Sequence, residues 1–437
     1  MTGTILAVGG RRHVPVPDAI ARDYLVLALR LDQHAAGLVD GYFGPADLKA
    51  QVDLEQLRPP RRLAEDAEAL LARIGGEVPE HDRRAWLTGQ LVALRTQAEA
   101  LAGDEPGYVE GATRLFDWTP VRRDESVFDE AAAEIDRLLP GPGSVADRLA
   151  AFDRGFEIPV DRLPDVLAWL TATVRGRAGD LFGLPPGESI DIRLVQDQPW
   201  TGYNWYEGGR RSRFDLNTDL PITASRSIHV VAHESYPGHH LEHAWREATL
   251  VDDAHRLEAA ILLINTPECL MSEGLADLGH RFASPPAGEA DLLLELYERA
   301  GLPIAADRVA ARDAAERTVA MSEPRARLQE ARVNAALLRH ADGRSHEEVL
   351  AWLQAAGRFP PERAEKALEF IEHPLWRSYV FVYHEGEALL RRWLEAVPAD
   401  EQPARFRRLL REQLGPAAIA AELAASDFAT APGSDPA

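Results

Sequence analysis

The sequence predicts a mainly α-helical fold with a small antiparallel β-sheet, and three observations carry that prediction. Apolar residues recur at helical spacing along most of the 437 residues, in segments dominated by Ala, Leu, Glu and Arg. Proline and glycine punctuate these segments at Pro45, Pro59-Pro60, Pro140-Gly141-Pro142-Gly143 and Pro185-Pro186-Gly187. One stretch, 189–216, replaces helical spacing with strand-like alternation.

Taken in order, Asp18 to Ala36, Arg61 to Ile74, Asp82 to Leu101 and Glu125 to Leu139 read as helices. The run at 140–143 divides an N-terminal helical lobe, 1–140, from a second lobe, 144–428. In that lobe Ile190-Asp191-Ile192-Arg193-Leu194-Val195, Tyr203-Asn204-Trp205-Tyr206, a Gly208-Gly209 turn and Arg213-Phe214-Asp215-Leu216 read as an antiparallel sheet with a hairpin. A loop at 217–222 follows, and Thr223 or Ser225 is placed to cap a helix over 225–247. Further helices follow to 428, and 429–437 reads as a disordered tail. No internal repeat is visible.

Hydrophobic residues make up 46% and charged residues 27%, proportions of a globular chain able to bury a sizeable core. The net charge of -22 predicts that nucleic acid is not a partner, because a phosphate backbone calls for a basic footprint. Lys49 and Lys366 are the only lysines; arginines interleaved with Asp and Glu supply the remaining positive charge, as on an ion-paired, solvated surface. Residues 1–10 show neither a basic opening nor a long apolar run, and no segment approaches the roughly 20 apolar residues of a membrane span. The expectation is a cytoplasmic protein with no membrane partner. Cys269 is the single cysteine, which excludes an internal disulfide and a thiolate-rich metal site.

The most informative segment is 228–243, where His229, His233, His239, His240 and His243 put five of 14 histidines within fifteen residues and Glu234 directly follows His233. Imidazoles on adjacent helical turns can converge on one zinc ion, and a neighbouring carboxylate can take a proton from water activated there. The familiar His-Glu-x-x-His pattern fails, since Pro237 stands at its second histidine position. His233 and His240, seven residues apart, would align on an unbroken helix, but with Cα atoms roughly 10 Å apart. Pro237 and Gly238 are expected to interrupt the helix and shorten that gap, bringing His233 together with His239 or His240. The four-residue pairs His229/His233 and His239/His243 are alternatives that use Glu234 less well. For any single histidine, capping or satisfying the backbone near the break is a competing role. Glu273, inside the apolar stretch 261–278, is the candidate third ligand, with Asp277 able to orient a histidine from behind. A helix-surface position is the plainer alternative for each.

His233-Glu-Ser-Tyr-Pro-Gly-His-His240 resembles the His-Glu-x-x-Pro-Gly-His-His signature of the bacterial domain of unknown function 885 family, grouped by fold with gluzincin peptidases. Val39 to Pro45, Leu139-Pro140-Gly141, Asn204-Trp205-Tyr206 with Asn217, Ser272-Glu273-Gly274 and Tyr383-His384-Glu385-Gly386 resemble family segments in the same order, so the likeness covers most of the chain. It departs at Leu275, where the family usually has Trp, and at Ala336, where an Asp is common before the histidine matching His340. The resemblance implies a gluzincin-like, two-lobed helical metallohydrolase. It implies one zinc, with His233, a histidine of the His239-His240 pair and Glu273 as ligands, Glu234 as base, and Tyr383 as the first choice of oxyanion donor. The alternative for Tyr383 is core packing with Trp376, Tyr379 and Phe381.

These readings converge on a zinc-dependent peptidase acting on small peptides, with Tyr203, Tyr206 and Arg213 lining the substrate side. Manganese or cobalt would suit the same ligands. A zinc hydrolase of a non-peptide amide or ester, and a non-catalytic helical binding protein, are the alternatives. Oligomeric state is not legible.

Overall fold

The computed structural model describes residues 18–198 and 200–430, with side chains described to residue 425. The expected tail falls largely outside them: 431–437 are not described, and 429–430 lie in the last helix. The opening residues 1–10 are likewise outside.

Over the described residues the chain is mainly α-helical with two small sheets. It opens with α1 (Ala19–Asp32), β1 (Val39–Tyr42), α2 (Ala46–Asp53), the hairpin of α3 (Pro60–Glu77) and α4 (His81–Leu101), then α5 (Tyr108–Phe116) and α6 (Ser126–Leu138). Asp18 caps α1 by accepting from the Ala21 N–H at 2.7 Å, and Pro60 starts α3 where its missing N–H costs nothing. Beyond the glycine-proline run come α7 (Val145–Arg154), opened by a Ser144/Asp147 capping box, and α8 (Leu163–Phe182). Strands β2 (Ser189–Val195), β3 (Gly202–Tyr206) and β4 (Arg211–Asn217) follow. Next are α9 (Ala224–Glu234), α10 (His239–Arg246), β5 (Ile261–Leu263), α11 (Pro267–Ala283), α12 (Pro286–Arg299), α13 (Arg308–Gln329) and α14 (Ala331–Ala336). The chain closes with α15 (His346–Ala355), α16 (Pro361–Glu372), α17 (Val380–Glu395), α18 (Gln402–Arg411) and α19 (Pro416–Thr430).

The sheet of 189–216 is mixed rather than wholly antiparallel. Its order is β2-β4-β3, with the β3/β4 hairpin antiparallel and β2 parallel to β4. Alternation alone is silent on direction, and the long β2–β3 connection lets β3 occupy the edge while β4 slots between. The hairpin turns at Gly208 and Gly209, both at positive φ (73° and 70°), as glycine permits. A second, two-stranded sheet pairs β1 with β5 across more than 200 residues of chain, a contact no local pattern announces.

The main buried cluster runs from Ile20 to Leu423 and takes side chains from both sides of 140–143. Polar links cross the same divide. Arg83 holds the fully buried Glu258 at 2.6 Å, Trp118 Nε1 donates to Glu385 at 3.0 Å, and Arg123 pairs with Glu385 and Glu330. The glycine-proline run is thus a break in sequence across which one core continues. Among the described residues no helix is long and apolar enough to cross a membrane.

Helices α11 and α17 pack with backbone against backbone. A Cβ added at Gly386 would lie 2.2 Å from the Leu270 carbonyl oxygen, and one at Gly274 would lie 2.4 Å from the Gly386 carbonyl carbon. Gly386→Ala is expected to destabilise the protein by about 3 kcal/mol, because backbone on both sides must separate. The shift of the urea midpoint measures it, with Gly75→Ala, where an added Cβ meets nothing within 4 Å, as the tolerated control.

Candidate functional site

Thr223 caps α9, its hydroxyl accepting from the Arg226 N–H at 3.2 Å. The helix stops after Glu234, and α10 restarts at His239. Gly238 makes this break possible, since a Cβ there would lie 1.9 Å from the His233 carbonyl oxygen and 2.5 Å from that of Ala232. Only a residue without a side chain lets the chain fold back so tightly, and its N–H donates to the Ala232 carbonyl at 3.0 Å. His233 and His239 consequently face each other, their Nε2 atoms 3.2 Å apart.

Glu273 on α11 completes the group. Its Oε2 lies 3.4 Å from His233 Nε2 and its Oε1 3.6 Å from His239 Nε2. Four residues on, along the same helical face, Asp277 accepts from His233 Nδ1 at 2.9 Å, leaving Nε2 as the inward-facing nitrogen. His239 Nδ1 meets Ser272 Oγ at 3.3 Å, and that hydroxyl donates to Glu242 at 2.6 Å. Tyr379 of the segment leading into α17 donates to Glu273 Oε1 at 2.6 Å. Glu273 Oε2 is buried and has no hydrogen-bond partner among the described residues.

That orphaned oxygen and the donor spacing test the fit to a metal. A tetrahedral zinc with bonds of roughly 2.0–2.1 Å holds its ligand atoms about 3.3 Å apart. The two imidazole nitrogens stand 3.2 Å apart, and the Glu273 carboxylate comes within 3.4 Å of one through Oε2 and 3.6 Å of the other through Oε1, so the residues fit. Two flanking groups, His229/His233/Asp277 and His239/Glu242/His243, also bring ligand atoms together. Their carboxylates are already committed, Asp277 to His233 and Glu242 to Ser272, so the central triad is the best candidate.

The electrostatics are those of a buried, mutually compensated cluster. Burial opposes charge on His233 and His239, but Asp277 acting on the first and Glu273 on the second outweigh it and hold both above the ordinary histidine range. Burial likewise pushes Glu273 up, and His239 with His233 more than reverses that. Glu234 has a raised pKa, chiefly through burial, with His233 and His239 pulling it partly back. Burial lowers His229 and His243 to about 3, which keeps them neutral. Tyr383 on α17 lies beside Tyr379, ring centroids 5.5 Å apart, and burial together with the Glu273 and Asp277 charges keeps its hydroxyl protonated.

The edge strand β3 runs beside this group. Asn204 donates to the Glu234 carbonyl at 2.7 Å, and a Cβ at Gly202 would lie 3.2 Å from Glu234 Oε1. Tyr203 donates to Asp40 of β1, a carboxylate whose pKa burial raises. Asp40 and Tyr203 both interact electrostatically with Glu273, so Tyr203 stands by the cluster.

Three expected site residues are placed elsewhere. His240 is wholly buried and spends both ring nitrogens, on Ser212 Oγ at 2.8 Å and Glu188 Oε2 at 2.9 Å, so His239 alone of the pair joins the cluster. The six-residue step across the break, not the seven-residue alignment of a continuous helix, brings the rings together. Tyr206 is buried and donates to Glu247 at 2.6 Å, an anchor of the hairpin rather than a substrate wall. Arg213 is held by Asp215 at 3.0 Å and lies over Trp205, on the sheet face opposite Phe214, which turns toward Gly202. Sequence reasoning assigned no role to Asp40, Glu188, Glu242 or Ser272. Asp40 lies in the Val39–Pro45 segment and Ser272 beside Glu273, while Glu188 carries no local signal.

Glu188 is nearly inaccessible and receives Arg175, Tyr236 and His240. Burial pushes its pKa up, but His240 and Tyr236 with Arg175 bring it down to about 2. A depressed carboxylate contributes stability that is present above its unfolded value of about 4.3 and is lost as pH falls toward the folded value. Glu188→Gln is expected to cost about 2–4 kcal/mol at neutral pH, by turning an amide toward donors, and to flatten the acid loss of stability between about pH 4.5 and 2. Urea titrations across that range provide the check.

No protein-family model and no curated protein matches the chain. Its fold is similar to that of a protein from Colwellia psychrerythraea provisionally termed a lipoprotein, at 12% identity and a TM-score of 0.50, over 95% of this chain and 78% of that one. A Shewanella oneidensis protein, provisionally termed a lipoprotein of unknown function, aligns at 10% identity and a TM-score of 0.47, over 92% and 82%. The first likeness concerns the fold.

Proposed function

We propose that the protein is a zinc-dependent peptidase of the domain of unknown function 885 type, cleaving small peptides by Glu234-assisted attack of water. The convergence of His233 Nε2, His239 Nε2 and the Glu273 carboxylate, whose Oε2 has no hydrogen-bond partner among the described residues, with Glu234 beside them, carries this reading. A structural metal would need no adjacent base and would fill its fourth position from the protein. Zinc bound by the three ligands would supply Lewis acidity toward the carbonyl and lower the pKa of water.

The chain's own groups supply the rest. Asp277 and Ser272 orient the two imidazoles, and Tyr379 orients Glu273. Glu234, raised by burial, takes the water proton at its carboxylate and passes it to the leaving amine. Tyr383, protonated and without a hydrogen-bond partner among the described residues, donates to the developing oxyanion. Among the described residues strand β3 pairs only with β4, so its other edge offers backbone groups to an extended peptide. A cytoplasmic location is part of this proposal, consistent with a lone buried thiol.

Elemental analysis of chelator-free protein is expected to find about one zinc per chain in the wild type, as a mononuclear site requires. His239→Ala loses it and His240→Asn retains it. Glu234→Gln retains zinc while peptide turnover falls by about 10²- to 10⁴-fold. Turnover unchanged in Glu234→Gln, or a wild type that holds no zinc after reconstitution, defeats the mechanism.

A further inference from the structure

Beside the metal cluster lie three arginines that the chain's many carboxylates leave alone. Arg226 is on α9, one and two turns before His229 and His233 on the same face. Arg332 is on α14 and Arg363 on α16, helices that pack together, and α14 also packs on the Tyr383 helix α17. Arg226 and Arg363 are exposed and Arg332 is half-buried, its guanidinium carbon 5.3 Å from the centre of the Phe359 ring.

Among the described residues none of the three forms an ion pair or a side-chain hydrogen bond. In a chain with 70 acidic residues against 48 basic ones, where most surface arginines find a carboxylate, three unpaired guanidiniums together need a reason. Local structure supplies none. Arg226 and Arg363 stand in the first turns of their helices, the end where the dipole disfavours a cation. The three also repel: burial first, and then the neighbouring arginines, lower Arg332 to about 10. Tyr383 is the group Arg226 and Arg332 share, and Arg226 also feels Asp277 and Glu234, so the cluster is continuous with the catalytic side of the cleft.

Positive charge gathered without an ion-paired carboxylate beside a reaction centre is a place for a substrate anion. Resting on the peptidase reading, we propose that Arg226, Arg332 and Arg363 form the subsite for the free C-terminal carboxylate of a short peptide, making the protein a carboxypeptidase-type exopeptidase. Spacing fits that assignment. Arg226 precedes His233 by seven residues, roughly 10 Å along the helix axis. Extended peptide covers about 3.3–3.6 Å per residue, so after the reach of the arginine side chains the carboxylate falls one to three residues from the scissile bond.

The test is a binding titration, which requires no turnover. An N-acetylated alanine tripeptide as the free acid, its C-terminal amide, and an amide with aspartate as last residue are titrated into Glu234→Gln protein, with and without zinc. The free acid is expected to bind about 10- to 100-fold more tightly than either amide, the worth of charge-assisted hydrogen bonds. Arg332→Gln and Arg363→Gln each narrow that gap. Arg363 is exposed, so its variant keeps the fold, and circular dichroism confirms this for both. Equal binding of acid and amide, no binding of either, or a gap intact in both variants overturns the proposal. Aspartate-amide binding as tight as the free acid overturns the C-terminal assignment. Zinc content and cleavage, measured on the parent protein, report separately on the peptidase reading.

Discussion

The site depends on a backbone contact. At Gly238 the chain leaves α9 and re-enters a helix so tightly that a Cβ would overlap the His233 carbonyl oxygen. This steric allowance converts a six-residue separation, which on a continuous helix would point two imidazoles in different directions, into a pair of nitrogens 3.2 Å apart. The break is braced from behind by α11, where Gly279 lies under Pro237 and a Cβ would come within 3.1 Å of its ring. The same helix supplies Glu273 and Asp277, and α17, seated on it through Gly274 and Gly386, supplies Tyr383. Close glycine contacts thus set the separations of the three helices on which the cluster is built.

A buried cluster of this kind carries a cost that its neighbours offset. Burial penalises every charge in it, and the carboxylates of Glu273 and Asp277 stay charged because imidazoles face them. Asp277 serves His233, Ser272 and Glu242 serve His239, and Tyr379 serves Glu273. Glu234 has no such fixed hydrogen-bonding partner for its carboxylate, and its raised pKa follows. Around this group His240 and Glu188 form a second, structural layer that ties α10 to the sheet through Ser212. Two adjacent histidines therefore have different work, and the division follows from which way each ring points as α10 begins.

Much of the site could be read in advance from residue type and spacing. His233, Glu234 and Glu273 were identifiable because a histidine-glutamate pair on a capped helix and a carboxylate within an apolar stretch each imply a buried polar function. Asp277 was legible from the four-residue step that stacks it on Glu273's face. The hairpin was legible from Gly208-Gly209, and the helix break from Pro237-Gly238. The choice between His239 and His240 was open, because periodicity describes unbroken helices and the answer lay in the geometry of the break. Tyr206 and Arg213 looked like cleft residues by composition, but strand parity and their partners Glu247 and Asp215 turn them to anchoring work.

By itself the sequence determined the mainly helical class, the alternating segment and the chemical inventory of the histidine-bearing helix, because these follow from short-range periodicity, turn propensities and local spacing. Tertiary structure alone decided the parallel placement of β2, the pairing of β1 with β5, the continuity of the core past 140–143, and the gathering of Arg226, Arg332 and Arg363. Each of those joins residues far apart in the chain, and such contacts are selected by the burial and packing of the whole molecule, for which no local pattern carries a signal.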